Sequence, residues 1–252
     1  SHLYKYVSDR SFLFPMGAAM SRRVFFAVLA FAFSASIIAQ IHAGDMPPDV
    51  KRNFKRLISS EDPAQRAEGV KLLSNADDSK AFSYLRKIIQ NERLLEKKKG
   101  ADTEEVIKSV FEVMKGFKDP KVISKVCRQM VREKDLNIRV EYVKTVWEYD
   151  DDEAFEAVLK MLRDPAWEVR ITIARLLGET FNKKGLEKAK EAIELLIKWL
   201  PKETDGRTQN HVVAALYYLT GKDFGYDHKA WGEWWENAKH DYGKKEEEGM
   251  VD

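Results

Sequence analysis

The residues that could carry out chemistry are few and scattered along the chain. Cys127 is the one cysteine among 252 residues, so a Cys-x-x-Cys-His site for covalent haem is excluded. The histidines after residue 44 are His211, His228 and His240, and no pair has the spacing that puts two zinc ligands on one helical turn. The acidic run at residues 150–153 lacks the alternating ligands of a calcium loop and indicates an acidic helix N-terminus. We therefore expect no catalytic residue, no metal site and no cofactor.

Aromatic residues are a second class that could form a binding site. Trp147, Tyr149 and Trp167 fall outside the regular apolar stripe of the sequence, which predicts that they are exposed. Since Trp and Tyr dominate the energetics of protein interfaces, these three residues are our candidate contacts for a protein partner.

The charge of the chain argues against nucleic acid as the main partner. Residues 44–252 are close to neutral, and no basic stripe is evident beyond Lys97-Lys98-Lys99, which indicates a solvated loop. Cys127 lies in an amphipathic segment and is interpreted as a small buried apolar residue. The expected partners are proteins, and membrane contact is expected only through an uncleaved signal segment.

The pattern that would position these residues is helical throughout. After Pro47-Pro48, apolar residues recur at helical spacing and no strand pattern occurs. Asp-Pro pairs begin at Asp62, Asp119 and Asp164, where Asp can cap a helix and Pro can occupy its first position. The predicted helices are residues 50–59, 63–74, 79–90, 103–117, 120–132, 136–148, 152–162, 165–181, 186–200, 207–220 and 228–240.

One stretch of fifteen residues resembles a known repeat. Residues 164–178 read Asp-Pro, then Val-Arg, then a stripe of Ala and Leu that ends in Gly, which resembles a HEAT repeat of the kind also found in bilin-lyase-like families. Weaker copies begin at Asp62, Asn137 and Asn210, at spacings typical of stacked helix pairs. The resemblance implies an all-α fold, a right-handed α-solenoid of stacked HEAT-like helix hairpins.

The same resemblance assigns structural roles to individual residues. It implies that Arg139 and Arg170 form a ladder with an Asp of a neighbouring repeat, and that Asp164 and Pro165 form the joint between helices. Residues 94–102 depart from the repeat as a charged insertion, and the helix after Asp119 has no Val-Arg. The register in the middle of the chain therefore stays open.

A tryptophan cluster marks the C-terminal end. Residues 219–227, followed by Trp231, Trp234 and Trp235, resemble the closing segment of exported bacterial HEAT-like proteins. The three tryptophans share one helical face, and they favour a cap over the last repeat, because large rings cover much apolar surface. A platform for carbohydrate or aromatic ligands is the alternative.

The N-terminal region has the anatomy of an export signal. An apolar stretch at residues 24–41 follows Arg22-Arg23, which also resembles the twin-arginine motif, so the Sec and twin-arginine routes both stay open. We expect upstream sequence outside the fold at 1–19, a signal peptide at 20–43, the solenoid with its Trp-rich cap at 44–243, and a disordered charged tail at 244–252. The expected location is the periplasm or an equivalent compartment.

Together these features predict a non-catalytic exported scaffold that binds other proteins. A partner that folds before export would make it an accessory or assembly subunit of a multi-subunit redox complex or filament. The alternatives are a HEAT-like enzyme related to bilin lyases, and a module that binds a small ligand or glycan through the C-terminal tryptophans.

Overall fold

A computed structural model describes residues 47–244, and in this part all regular secondary structure is helical. Residues 1–46 and 245–252, with the predicted signal peptide and nearly all of the predicted tail, lie outside the described residues. Among the helices described here, none combines the length and the apolar character needed to cross a bilayer.

Twelve α-helices lie within residues 47–244. They are α1 Pro48–Ile58, α2 Pro63–Lys71, α3 Asp78–Lys99, α4 Glu104–Lys115, α5 Pro120–Arg132, α6 Leu136–Trp147, α7 Asp152–Lys160, α8 Trp167–Gly178, α9 Thr180–Lys184, α10 Leu186–Trp199, α11 Gly206–Thr220 and α12 His228–Ala238. Short 3-10 turns follow α2, α7 and α10 at Leu72–Asn75, Met161–Arg163 and Leu200–Lys202.

The helices alternate between two layers. The A layer contains α2, α4, α6, α8 and α11, and each of these helices packs against the next. The B layer contains α3, α5, α7, α10 and α12; α3 packs on α5, α5 on α7, and α10 on α12. Because each hairpin leaves an apolar face that its neighbour covers, the layers enclose one continuous core. This arrangement confirms the predicted all-α solenoid, and its handedness stays a prediction.

The core between the layers is built from large side chains. Phe111 of α4 and Tyr142 of α6 meet edge to face, with ring centroids 5.0 Å apart. Cys127 is buried as predicted, and burial raises the pKa of its thiol to about 12, so it is not a reactive thiolate near neutral pH.

The helix predicted at residues 79–90 is too short, and the loop predicted at Lys97-Lys98-Lys99 is wrong. Helix α3 continues to Lys99 and ends at Gly100, whose φ of 61° suits glycine and whose N–H donates to Glu96 O at 2.8 Å. The three lysines at 97–99 therefore form the last turn of a helix, where positive charge is favourable, and not a loop.

The predicted long helix at residues 165–181 is two helices. Helix α8 begins at Trp167 and ends at Gly178, and the short α9 follows. Asp62 and Asp119 cap α2 and α5 as the Asp-Pro signal predicts. Asp164 does not cap α8, whose N-cap is Ala166. The carboxylate of Asp164 instead accepts the Ala166 N–H at 2.8 Å and binds an arginine of the preceding repeat.

Candidate protein-binding surface

An arginine ladder follows the edge of the solenoid where B-layer helices end and A-layer helices begin. Arg66, Arg139 and Arg170 each lie four residues after the N-cap of α2, α6 and α8. This position on the second turn of each helix directs the side chain back over the loop that precedes the helix. The repeat therefore reuses one residue position for one structural task.

Each arginine first closes its own loop. Arg170 Nη1 donates to the carbonyl oxygens of Asp164 at 2.9 Å and Pro165 at 3.1 Å, which lie six and five residues earlier. Arg66 and Arg139 make the same two bonds to the carbonyls at the corresponding positions. These bonds satisfy loop carbonyls that the helices cannot reach.

Each arginine also holds a carboxylate. Arg170 binds Glu203 through Nε at 2.7 Å and Nη2 at 2.9 Å, and Glu203 lies in the loop before α11. Arg139 Nη2 donates to Asp164 Oδ1 at 3.1 Å; its Nε lies 2.8 Å from Oδ2 but is not aligned for a hydrogen bond. The ladder thus uses the expected Asp for Arg139 and a Glu for Arg170.

The ladder is interrupted at α4, where Ile107 occupies the arginine position. Two consecutive residues of α3 fill the gap. Glu92 accepts a bidentate pair from Arg66, with both distances 2.9 Å, and Arg93 donates to Glu133 at 3.1 Å. The extended α3 therefore supplies the groups that the loop before α4 and α4 itself do not provide.

The two types of ion pair leave their carboxylates in different electrostatic states. Burial raises the pKa of Glu92 above its ordinary value, and the hydrogen bond from Arg66 only partly offsets this effect. Burial also acts on Glu203, but the hydrogen bonds from Arg170 and from the Thr204 and Asp205 N–H groups outweigh it, so the pKa of Glu203 is lowered. Glu203 is thus the carboxylate whose charge is better stabilised by hydrogen bonds.

The candidate partner contacts predicted from the sequence are mostly buried. Trp147 is 1% exposed and Tyr149 is 3% exposed, so the expected exposure is wrong for both. Trp147 packs on Phe155, and the Tyr149 hydroxyl donates to Met114 O at 2.8 Å. They complete the core at the end of α6, where the apolar stripe turns into the following loop.

Trp167 is half-buried beneath a cation. The guanidinium carbon of Arg207 lies 3.6 Å from the Trp167 ring centroid, and Arg207 is itself held by Asp205. The pair bridges the N-terminal turns of α8 and α11, so Trp167 contributes to the joint between repeats, and one of its ring faces is occupied.

The C-terminal tryptophans lie largely inside the terminal repeat. Trp231 is 0% exposed and Trp235 is 3% exposed, whereas Trp234 is half-buried between them. Trp231 Nε1 donates to Gly225 O at 2.9 Å, which fixes the loop before α12 over the core. This is the geometry of a cap, and it leaves only Trp234 with ring surface that a sugar could reach.

The exposed aromatic residues are different ones. Tyr217, Tyr218 and Tyr226 are 52%, 77% and 60% exposed, at the end of α11 and in the loop after it. The Tyr226 hydroxyl is hydrogen-bonded to Asn210 Oδ1, which holds this tyrosine along α11. Sequence reasoning missed these residues, although Tyr217 and Tyr218 fall between the buried Leu216 and Leu219.

A basic stripe on α5 was also missed. Lys121, Lys125, Arg128 and Arg132 follow one another at helical spacings of four, three and four, and all four are exposed. The expectation that no basic stripe exists is therefore wrong. The signal was present in the spacing, but the near-neutral total charge of the chain concealed it.

Two clefts open between B-layer helices beside the ladder. The smaller, about 240 Å³, lies between α3 and α5. The larger, about 850 Å³, lies between α7 and α10, and its base includes the buried Trp199 and the ladder pair Arg170 and Glu203. Both clefts are shallow and carry charged rims. Within residues 47–244, no group of three or more His, Cys, Asp or Glu side chains is placed to hold a metal ion.

Comparison with known proteins identifies the repeat. Residues 123–217 match the family described as HEAT repeats, a stretch that extends from α5 into α11 and includes the regular part of the ladder. No curated protein and no solved structure matches the chain. The match supports a HEAT-like repeat protein, and HEAT repeats commonly mediate interactions between proteins.

Proposed function

We propose that this protein is a non-catalytic scaffold that binds another protein through the outer surface of its solenoid. The observation that carries the proposal is the tyrosine surface, formed by Tyr217, Tyr218 and Tyr226. Exposed tyrosines lose little conformational entropy on binding and supply large contact areas, as interface anchors do. Tyr218, the most exposed, has no hydrogen-bond partner within residues 47–244, so binding breaks no internal hydrogen bond of its side chain.

The finer proposal concerns place and partner. We propose that residues 20–43 direct export to the periplasm or an equivalent compartment, and that the mature chain is an accessory or assembly subunit of a multi-subunit redox complex or filament. Support comes from Arg22-Arg23 followed by an apolar stretch, because the twin-arginine route carries proteins that are already folded. A scaffold without its own cofactor would use that route in company with a folded partner.

The test is affinity purification of the full chain from its native host, followed by mass spectrometry. We expect a partner with the unaltered protein and its loss with Tyr217→Ser/Tyr218→Ser. The matched control is Lys222→Ser/Lys229→Ser, which alters two exposed residues of the same terminal region. Circular dichroism must show equal helicity for all three proteins. Recovery as a free monomer at native concentration would contradict the scaffold.

Two further readouts test the finer proposal. N-terminal sequencing of the mature protein is expected to begin near residue 44, and Arg22→Lys/Arg23→Lys is expected to block export by the twin-arginine route. A partner without any redox cofactor would contradict the assembly of a redox complex, while leaving the scaffold function intact.

A further inference from the structure

No residue of the basic stripe on α5 forms an ion pair within residues 47–244. Lys121, Arg128 and Arg132 have no ion-pair partner within residues 47–244, and Lys125 Nζ donates only to Ser79 Oγ at 3.2 Å. Exposed lysines elsewhere in the solenoid commonly pair with a glutamate one turn away, as Lys115 does with Glu112 at 2.7 Å. The stripe therefore presents four cations to solvent.

The neighbouring surface of α3 extends this positive charge. Arg86 and Arg93 face the cleft of about 240 Å³ between α3 and α5, with Gln90 between them. Across the cleft lie Arg132, Gln129 and Lys134. The one acidic residue in its lining is Glu133.

Glu133 neutralises only one cation of the cleft. Its carboxylate accepts from the N–H groups of Lys134 and Asp135, both at 2.9 Å, and from Arg93 at 3.1 Å. Arg93 also pairs with Asp135, whose Oδ2 lies 3.3 Å from Arg93 Nη2. In the described part of the chain, Arg86 has only a distant ring contact, with its guanidinium carbon 5.8 Å from the Phe82 centroid. The α3/α5 surface, defined as the α5 stripe with this cleft, is left with unpaired guanidinium groups.

We propose that the α3/α5 surface binds an acidic polypeptide segment of a protein partner. Guanidinium groups match carboxylates in a planar, two-bond geometry that an ammonium or a neutral group does not provide. Gln90 and Gln129 offer both donors and acceptors for the backbone of an extended segment. This inference rests on the proposed scaffold function and names the chemistry of one partner contact.

The dimensions of the surface suit a short segment. The stripe from residue 121 to residue 132 spans about 16 Å at the rise of an α-helix, a length that about five extended residues cover. Val131, which is 57% exposed, lies next to Arg132 and offers an apolar contact beside the charges. An acidic segment with one apolar side chain fits this combination.

Nucleic acid and anionic membrane fit less well. The next B-layer helix, α7, begins with an acidic run at residues 150–153, and Ser124 of α5 donates to Glu153 at 2.8 Å at the border between the two surfaces. A long polyanion on the stripe would meet these carboxylates. No exposed aromatic ring lies on α3 or α5 for bases to stack on.

The test measures binding of a fluorescein-labelled peptide of about eight residues, rich in Glu and Asp with one central Leu, to the purified chain comprising residues 44–252. Its Gln/Asn counterpart is the neutral peptide. By fluorescence anisotropy we expect the acidic peptide alone to bind, and its affinity to fall by about tenfold when salt rises from about 50 to about 300 mM.

Charge reversal locates the site. We expect Arg128→Glu/Arg132→Glu to weaken peptide binding by at least about tenfold, and Lys121→Glu/Lys125→Glu, a second pair on the same stripe, to have a similar effect. The matched control Lys222→Glu/Lys229→Glu changes the net charge equally at the far end of the chain and is expected to change affinity by less than about twofold. Melting curves must show that each variant folds.

Several outcomes would overturn the inference. These are equal weakening by the control pair, tighter binding of a short DNA duplex or of phosphatidylserine vesicles than of the peptide, or self-association that is abolished by neutralising residues 150–153. If any one of these outcomes occurs while Tyr217→Ser/Tyr218→Ser still loses a native partner, the inference fails and the scaffold function stands. If the peptide binds but only free monomer is recovered from the host, the scaffold function fails.

Discussion

The two halves of the arginine ladder solve the same problem in different ways. From α6 to α11, each arginine reaches a carboxylate in the loop that begins the next repeat, as Arg170 reaches Glu203. From α2 to α6, the carboxylate and the arginine come from the body of α3, as Glu92 and Arg93. The comparison shows that the position of a charge in space, and not its place in the repeat, is what the fold requires.

The difference affects how firmly each carboxylate is held. Glu203 has two backbone N–H donors as well as Arg170, whereas within residues 47–244 Glu92 accepts from Arg66 alone. Since a buried charge is costly wherever it loses its partners, the pair in the irregular half depends more heavily on its arginine. The matched HEAT repeats region, residues 123–217, covers only the regular half.

Removing one arginine from each half of the ladder should give the largest difference in stability. Arg66→Ala should lower the free energy of unfolding by roughly 3–5 kcal/mol, because Glu92 is then buried without a donor. Arg170→Ala should cost about 1–3 kcal/mol, since Glu203 keeps its backbone donors. Urea denaturation measures both values, and equal losses would show that the backbone donors are unimportant.

Close packing in the regular half gives the second largest effect. A Cβ at Gly178 would lie 3.3 Å from Ala215 Cα, so Gly178→Val should push α8 from α11 at a cost of about 1–3 kcal/mol. The control is Gly206→Ala on α11, where a Cβ meets no atom within 4 Å. Thermal melting should separate the two variants, and a neutral Gly178→Val would mean that the helices move apart without loss.

The pH dependence of stability should differ in sign between the halves. The pKa of Glu203 is lowered, so ionised Glu203 stabilises the fold at any pH above its ordinary pKa of 4.5. This stabilisation is lost as pH falls through the folded pKa of Glu203. The pKa of Glu92 is raised, so its protonation stabilises the fold. This stabilisation develops as pH falls from the folded pKa of Glu92 to its ordinary pKa of 4.5.

Between pH about 6 and about 3.5, Glu203→Gln should therefore lose less stability than the unaltered chain, and Glu92→Gln should lose more. Urea midpoints measured across this range give the slopes. Parallel slopes for the two variants would refute the assignment of opposite pKa shifts.

Restoring the regular ladder pattern at α4 should have the smallest effect on stability. Arg93→Ala should cost about 0.5–1 kcal/mol, because its side chain is 35% exposed. Adding Ile107→Arg places a guanidinium at the ladder position of α4, from which it can reach Glu133, and should recover a few tenths of a kcal/mol. A double-mutant cycle isolates this gain, and strictly additive losses would show that α4 cannot carry the ladder.

Much of the fold could be predicted because local signals and tertiary structure agree. The spacing of apolar residues and the Asp-Pro pairs at Asp62 and Asp119 mark helices through short-range chemistry, whereas Asp164 does not cap α8. The roles of Arg139 and Arg170 came from the resemblance to HEAT repeats, and both arginines do bind a carboxylate of the next repeat. The extension of α3 was missed because charged residues on a solvated helix resemble a loop, and its role depends on a contact between Arg66 and Glu92, 26 residues apart.

The candidate site was harder to predict for a physical reason. Trp147 and Tyr149 follow the apolar stripe of α6 and look peripheral, but the neighbouring α7 covers Trp147 and the end of α4 binds the Tyr149 hydroxyl. The α5 stripe is visible in the spacing of four basic residues. It is hidden in the total charge, which is near zero, because acidic residues such as those at 150–153 offset the charge of the stripe. Surface charge patterns become binding surfaces only after the layers are assembled.

The position of the ladder has a consequence for how the solenoid responds to salt. Its buried ion pairs bind successive repeats along one edge. The ion pairs at the opposite edge, such as Lys183 with Glu148, are exposed, with a distance of 3.4 Å and exposed fractions of 45% and 42%. Neutral hydrogen bonds such as that from the Tyr149 hydroxyl to Met114 O also join repeats there. Salt screens exposed pairs far more than buried ones. We therefore expect high salt to weaken the ion pairs at the opposite edge and to leave those of the ladder largely unchanged, so that ionic strength acts unequally on the two edges of the solenoid.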